Sequence, residues 1–202
     1  EFETMGSDFD LIIDAGGYFK DEKNIDLAKK MANERKMPVL FYHNHVQTIT
    51  EGELEIPFKE VSLKEGEYLT FLDQVNTTGA DTVQKSNAKA FLTIKAGMTR
   101  RDLFQAAWRL RGLAKGQTID WVIDKKTASL LRSALSLSEK DSISLPEILR
   151  YAIANEAEQL ANDNYQACMQ QIENVKQKQL TKELLSETPN QMKKDLAKSL
   201  RS

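Results

Sequence analysis

Short apolar runs alternate with amphipathic stretches through the first two thirds of the chain, and that rhythm stops after residue 124. Phe9-Asp-Leu-Ile-Ile-Asp14 is an apolar run halted by Ala15-Gly-Gly17, the pattern of a buried strand followed by a sharp turn. Asn24 is placed to cap a helix reaching about Arg35, with Ile25, Ala28, Met31 and Ala32 on one stripe. Pro38 closes the connection, and Val39-Leu-Phe-Tyr42 reads as a second strand. Strand, helix, strand in that order predicts a parallel sheet with a right-handed crossover.

Between Gln47 and Leu63 the pattern weakens, and the partial alternation of Ile56 to Leu63 predicts an irregular or edge-strand segment. Tyr68–Leu72 and Lys89–Ile94 are the third and fourth strands. Thr99 and Asp102 have capping-box spacing and open a helix to about Leu113, which Gly112 and Gly116 stop. Thr118–Ile123 is the fifth strand, so residues 8–124 predict a three-layer α/β domain with a parallel sheet of about five strands.

Residues 125–202 carry no strand pattern and predict an all-helical extension. A helix is expected from Thr127 to Leu137. Ser144 and Glu147 open a long one to about Lys178, and a last amphipathic helix begins near Leu180 and is interrupted around Pro189. Ala161, Tyr165, Cys168, Ile172 and Val175 recur at steps of four and three, the seam of a helix that packs on another helix. Cys168 on such a seam reads as inert packing, and Trp108 and Trp121 read as core.

Composition narrows the function classes. A net charge of -2 supplies no global basic field, which disfavours strong nonspecific binding of nucleic acid by the chain as a whole. One cysteine excludes an internal disulfide framework and suits a reducing intracellular compartment. No apolar run approaches a membrane span, so no membrane partner is expected. Glu1 to Ser7 reads as a remnant of cloning sites and stands outside the fold argument.

Two blocks carry the candidate chemistry. Asp73-Gln-Val-Asn-Thr-Thr-Gly-Ala-Asp-Thr-Val-Gln84 is a polar loop entered from an apolar strand. Its Thr77 and Thr78 hydroxyls, the flexible Gly79 and the Asp81 carboxylate suit close approach to phosphate or sugar. The same residues also fit a plain polar loop with a turn glycine. The second block, Gln105-Ala-Ala-Trp-Arg-Leu-Arg-Gly-Leu-Ala-Lys-Gly-Gln117, sits on the predicted fourth-strand helix. On a regular helix Arg101, Gln105 and Arg109 fall within roughly 80° of one another, whereas Arg111 points about 160° from Arg109. A guanidinium held this way can stabilise a transferring phosphoryl group, or simply pair with a surface carboxylate. His43 and His45, two apart after a strand, share one face but fall short of a zinc site.

In this order, Ile13-Asp-Ala-Gly16, Asp73 to Asp81 and Gln105 to Gln117 resemble the last blocks of a superfamily-two helicase core. They look like a family of very large helicase-like proteins of fungi, protists and some intracellular bacteria, some of which bear a ubiquitin-hydrolase name. The resemblance covers about residues 9 to 124. It implies a second, carboxyl-terminal RecA-like lobe in which Thr77, Thr78, Gly79 and Asp81 stand in the block linking nucleic-acid and nucleotide sites, and Gln105 and Arg109 in the arginine-finger block. Arg101, on the same helix face as Arg109, is a further candidate for contact with nucleotide phosphate. The family pattern has a second arginine where Gly112 stands here, leaving Arg109 as the phosphate-facing residue.

No Gly-x-x-x-x-Gly-Lys-Ser/Thr loop occurs in the sequence, so nothing here cradles a triphosphate. The resemblance therefore implies ATP and Mg only together with an upstream lobe of the same protein, with nucleic acid as a further partner and no catalysis by the isolated chain. Two other readings stay open. One is a degenerate lobe that binds a protein partner through the helical extension; the other is a ubiquitin-related thiol hydrolase using Cys168.

Overall fold

The computed structural model describes residues 9–77 and 82–187, with Met192, Asp195 and Ser199 beyond them. Seven strands form one sheet: β1 (Leu11–Ile13), β2 (Val39–His43), β3 (Val46–Glu51), β4 (Leu54–Pro57), β5 (Leu69–Leu72), β6 (Lys89–Ile94) and β7 (Thr118–Ile123). Their order is β4-β3-β2-β5-β1-β6-β7. The pairs β2–β5, β5–β1, β1–β6 and β6–β7 are parallel, and β3 and β4 add an antiparallel hairpin to one side. The fold is thus α/β with a mostly parallel sheet.

The weak stretch after Tyr42 becomes the β2–β3 hairpin. Its turn is the residue pair Asn44-His45, both in the left-handed region at φ 49° and 64°. Two positive φ values in a two-residue loop match the twist of the flanking strands, and Asn-Gly is the usual sequence for it. With His45 in the glycine place the hairpin signal is faint. The same turn separates the two histidines: His43 ends β2 and pairs with Glu55 at 3.3 Å, while His45 occupies the turn. The edge strand is β4, ended by Pro57; it meets the expected Ile56–Leu63 segment only at Ile56 and Pro57, and Phe58–Glu60 forms a 3-10 turn instead.

Both faces of the central strands are covered, which is why β1 is buried throughout. Helix α1 (Asn24–Arg35) lays Leu27, Ala28, Met31 and Ala32 on Ile12, Phe41 and Phe71. Asn24 is its first residue rather than its cap; Lys23 precedes it without a side-chain cap bond, and Asn24 Nδ2 instead donates to the Tyr42 carbonyl at 3.3 Å. The opposite face carries α2 (Arg100–Ala107), α3 (Lys125–Ala134) and the start of α4 (Leu145–Glu187). Leu103, Leu131, Ile148 and Tyr151 pack there on Leu11, Ile13, Leu92 and Ile94.

The chain divides into two compact units, 1–156 and 157–202. α3 and the first turns of α4 belong to the first unit. α4 is continuous through Leu180, where a break was expected; the interruption predicted around Pro189 lies outside the described residues. All described residues from 157 to 186 are exposed, including Ala161, Tyr165, Cys168, Ile172 and Val175, so this stretch is no packed seam. Among the described residues no helix is long and apolar enough to cross a membrane.

Candidate functional site

Strand β1 lies between β5 and β6, so the loops leaving their carboxyl ends meet where an open α/β sheet offers its ligand crevice. Asp14, just past β1, is 1% exposed. Its Oδ1 accepts the Tyr18 N–H at 2.9 Å and the Thr93 hydroxyl at 2.7 Å, and its Oδ2 accepts the Phe19 N–H at 3.0 Å. The Thr93 oxygen accepts the Gly16 N–H at 2.7 Å. Three donors on one buried carboxylate make it an anchor for the Gly-Gly turn. Gly17 has φ +67°, and an added Cβ would meet Gln74 Oε1 at 2.6 Å, so the first motif loop lies directly on this turn.

Tyr18 bolts the next strand to the cluster. Its hydroxyl donates to the Ile94 carbonyl at 2.6 Å and accepts the Asp124 N–H at 2.8 Å. Burial pushes the phenol above its ordinary pKa. Asp124 caps α3, accepting the Thr127 N–H at 2.7 Å, and hydrogen bonding to Thr127 holds its carboxyl below the usual range. Asp14 lies in the Ile13–Gly16 block and Gln74 in the Asp73–Gln84 loop, but neither had a role assigned from the sequence, and Tyr18, Thr93 and Asp124 were not picked out. An acid ending a strand before Gly-Gly was the available signal.

Of the first motif loop, Thr77 is described; Thr78, Gly79 and Asp81 lie outside the described residues. Thr77 is 7% exposed, and its hydroxyl donates to the Gln74 carbonyl at 2.8 Å, closing the turn that begins at Asp73. Its proton is therefore committed within the loop, leaving the oxygen only as an acceptor. The loop then returns to the amino end of the sheet: the Tyr68 hydroxyl reaches the Val83 carbonyl at 3.3 Å, and Gln84 Nε2 donates to Thr70 at 3.0 Å.

The second block departs from the expected long helix. α2 keeps the capping box of Thr99 and Asp102 but ends at Ala107. Beyond it the chain tightens, with Arg109 N–H bonding the Ala106 carbonyl and Leu110 N–H that of Ala107. Arg109 and Arg111 thus lie in a turn, and helical angles do not describe them. Gln117, 6% exposed, holds the end of this turn: its Oε1 accepts the Gly112 N–H at 2.6 Å and its Nε2 donates to the Lys85 carbonyl at 2.9 Å.

Arg109 and Gln105 are brought together, Arg109 Nε donating to the Gln105 carbonyl at 3.3 Å. Gln105 and Arg101 are exposed on α2 one turn apart. Arg101 opens α2 at the carboxyl edge, whereas Arg109 follows its last turn, about 12 Å along the axis for eight residues. Gln105 and Arg109 therefore sit toward the amino edge of the sheet, where Lys89 of β6 lies beside Thr118 of β7. The sequence-predicted residues divide between the two edges. A depression of about 450 Å³ lined by Trp108, Leu110, Arg111, Leu113 and Ala114 adjoins the arginine turn.

Trp108, expected in the core, is 70% exposed: by helical periodicity it follows Phe104, away from the buried stripe of Leu103, Ala106 and Ala107. Trp121 is half-buried against the core. Cys168 is exposed on α4. Among the described residues no group of His, Cys, Asp and Glu is arranged to hold a metal ion. No family model, no curated protein and no solved structure matches the chain.

Proposed function

We propose that this chain is the second RecA-like lobe of a helicase-like ATPase, lending Arg109 and the Asp73–Gln84 loop to an ATP site completed by an upstream lobe. One observation carries the reading. Gln117, the last residue of the second motif block, binds both the turn that holds Arg109 and Arg111 and the Lys85 carbonyl immediately after the first block. Both motif blocks therefore answer to one buried side chain. The mostly parallel α/β sheet is compatible with the same reading.

ATP would supply the phosphoryl group whose developing charge Arg109 meets; with no phosphate-cradling loop in the sequence, the triphosphate and Mg are held by the other lobe. The test joins this chain to the native segment preceding it and measures ATP hydrolysis. Activity should require both parts and fall by about 10³-fold or more in Arg109→Ala. Robust hydrolysis by the 202-residue chain alone would overturn the proposal.

A second reading, a lobe that serves as a protein-interaction module, draws on α4, whose Leu160, Tyr165, Met169, Ile172 and Val175 are all exposed. Retained function in Arg109→Ala, with a partner lost on truncation after residue 156, would favour it.

A further inference from the structure

The two edges of the sheet are built differently. β4 is four residues long, carries Glu55 and ends in Pro57, features that blunt an edge against further pairing. β7 is six residues long, Thr-Ile-Asp-Trp-Val-Ile, without proline. Its one charge, Asp120, is met by Lys89 of β6 at 3.3 Å.

Backbone geometry fixes what β7 offers. The Thr118 N–H bonds the Ala88 carbonyl on the β6 side. In a parallel pair successive residues direct their backbone groups to alternate sides, so Thr118, Asp120 and Val122 serve β6. Ile119, Trp121 and Ile123 direct N–H and C=O away from the sheet, and no hydrogen bond among the described residues reaches them. Ile119 and Trp121 also floor an apolar groove of about 480 Å³ walled by Phe104, Trp108 and Leu145. Unpaired backbone calls for an extended chain, and the groove calls for apolar side chains at alternate positions on it.

We propose that β7 pairs antiparallel with β7 of a second copy of this chain across a two-fold axis, independently of the helicase-like reading. The strand meets its own requirement, with Ile119, Trp121 and Ile123 on the core face. Residues opposite one another must point to the same face, which restricts the axis to pass through a residue pair. Centring it on Asp120 sets two carboxylates together, a destabilising like-charge pair. Centring it on Trp121 sets Trp121 against Trp121, Ile119 against Ile123 and Asp120 against the uncharged Val122 of the other copy. That register engages both backbone groups of Ile119, Trp121 and Ile123 in each copy, more than either neighbouring register does.

Charge at Val122 tests this register in both directions, since that side chain lies on the same face as Asp120, away from the groove. Sedimentation velocity of the full chain over a concentration series should show a reversible dimer. Val122→Asp, opposing Asp120 of the other copy twice, should weaken it about threefold to tenfold, and Val122→Lys should tighten it by a similar factor. Unchanged circular dichroism in both variants establishes that the fold is intact. A chain that stays monomeric at every concentration overturns the proposal. So does a dimer that both variants leave unchanged or shift the same way, as pairing through α4 or through another β7 register would.

Discussion

Gln117 Oε1 accepts the backbone N–H of Gly112 at 2.6 Å. The same amide donates to the Lys85 carbonyl, so one buried side chain satisfies two backbone groups in different connections. Gln117→Leu keeps the bulk and strands both. Each unsatisfied group costs about 1–3 kcal/mol when it stays buried; both residues here are half-buried, so a loss toward the lower end of the summed range, about 2–4 kcal/mol, is expected. Gln105→Leu, at an exposed position of α2, should change stability by less than about 0.5 kcal/mol. Urea denaturation of the two variants measures the contrast, and equal midpoints would contradict the role given to Gln117.

The Asp14–Thr93 pair predicts coupling. Asp14→Ala leaves the Tyr18 and Phe19 N–H groups and the Thr93 hydroxyl without their acceptor, and should cost about 3 kcal/mol or more. Thr93→Val removes one donor to Asp14 and the acceptor of the Gly16 N–H, costing about 1–2 kcal/mol. Because the two residues touch, the double variant should lose less than the sum by at least about 0.5 kcal/mol. Strict additivity in a denaturation cycle would show that they act separately.

Asp124 supplies a pH dependence whose sign is fixed by its hydrogen bonds to Thr127. These lower the folded pKa below the unfolded value, so the cap contributes fully above about pH 4 and is lost as pH falls through the folded pKa. Asn caps helices about as well as Asp without titrating in this range, so Asp124→Asn should match the parent near neutrality and lack this acid-dependent loss. Asp124→Ala should cost about 1 kcal/mol at neutral pH. Thermal midpoints across the acid range distinguish the three proteins.

The parallel strands were legible because each is a short apolar run bounded by turn residues, and β6 and β7 occur where the pattern puts them. The β2–β3 hairpin was faint because Asn44-His45 adopts a turn usually written with glycine. The end of α2 was illegible for a different reason. Residues 100–113 have a helix-compatible pattern, yet the helix ends at Ala107 and the chain beyond it is held by Gln117, a residue not counted with that helix. Arg109 falls in the turn after that end, so the motif was readable while the placement of its arginine was not. Asp14 was visible as the acid of the Ile13–Gly16 block, without a role; its partner Thr93 depends on β1 and β6 being neighbours.

Residues 157–186 of α4 are exposed on every side, which predicts an uneven helix. Helices gain most of their stability from burying a face, and isolated ones are marginal in water. Local pairs give some support here, with Gln177 bonded to Glu173 and Gln179 to Glu183, each contributing a few tenths of a kcal/mol. Earlier in the same helix Ile148, Tyr151 and Ala152 are buried, and Asn155 Nδ2 donates to the Met98 carbonyl at 3.0 Å. Amide hydrogen exchange should therefore show protection approaching the global stability near residues 148–155, decaying toward 187. Truncation after residue 187 should leave the protected amides unchanged, whereas Tyr151→Ala should speed exchange at them, since it removes a buried ring and the acceptor of the Gly97 N–H. Uniform strong protection from 148 to 187 would mean that the second half of the helix is covered in solution by another chain.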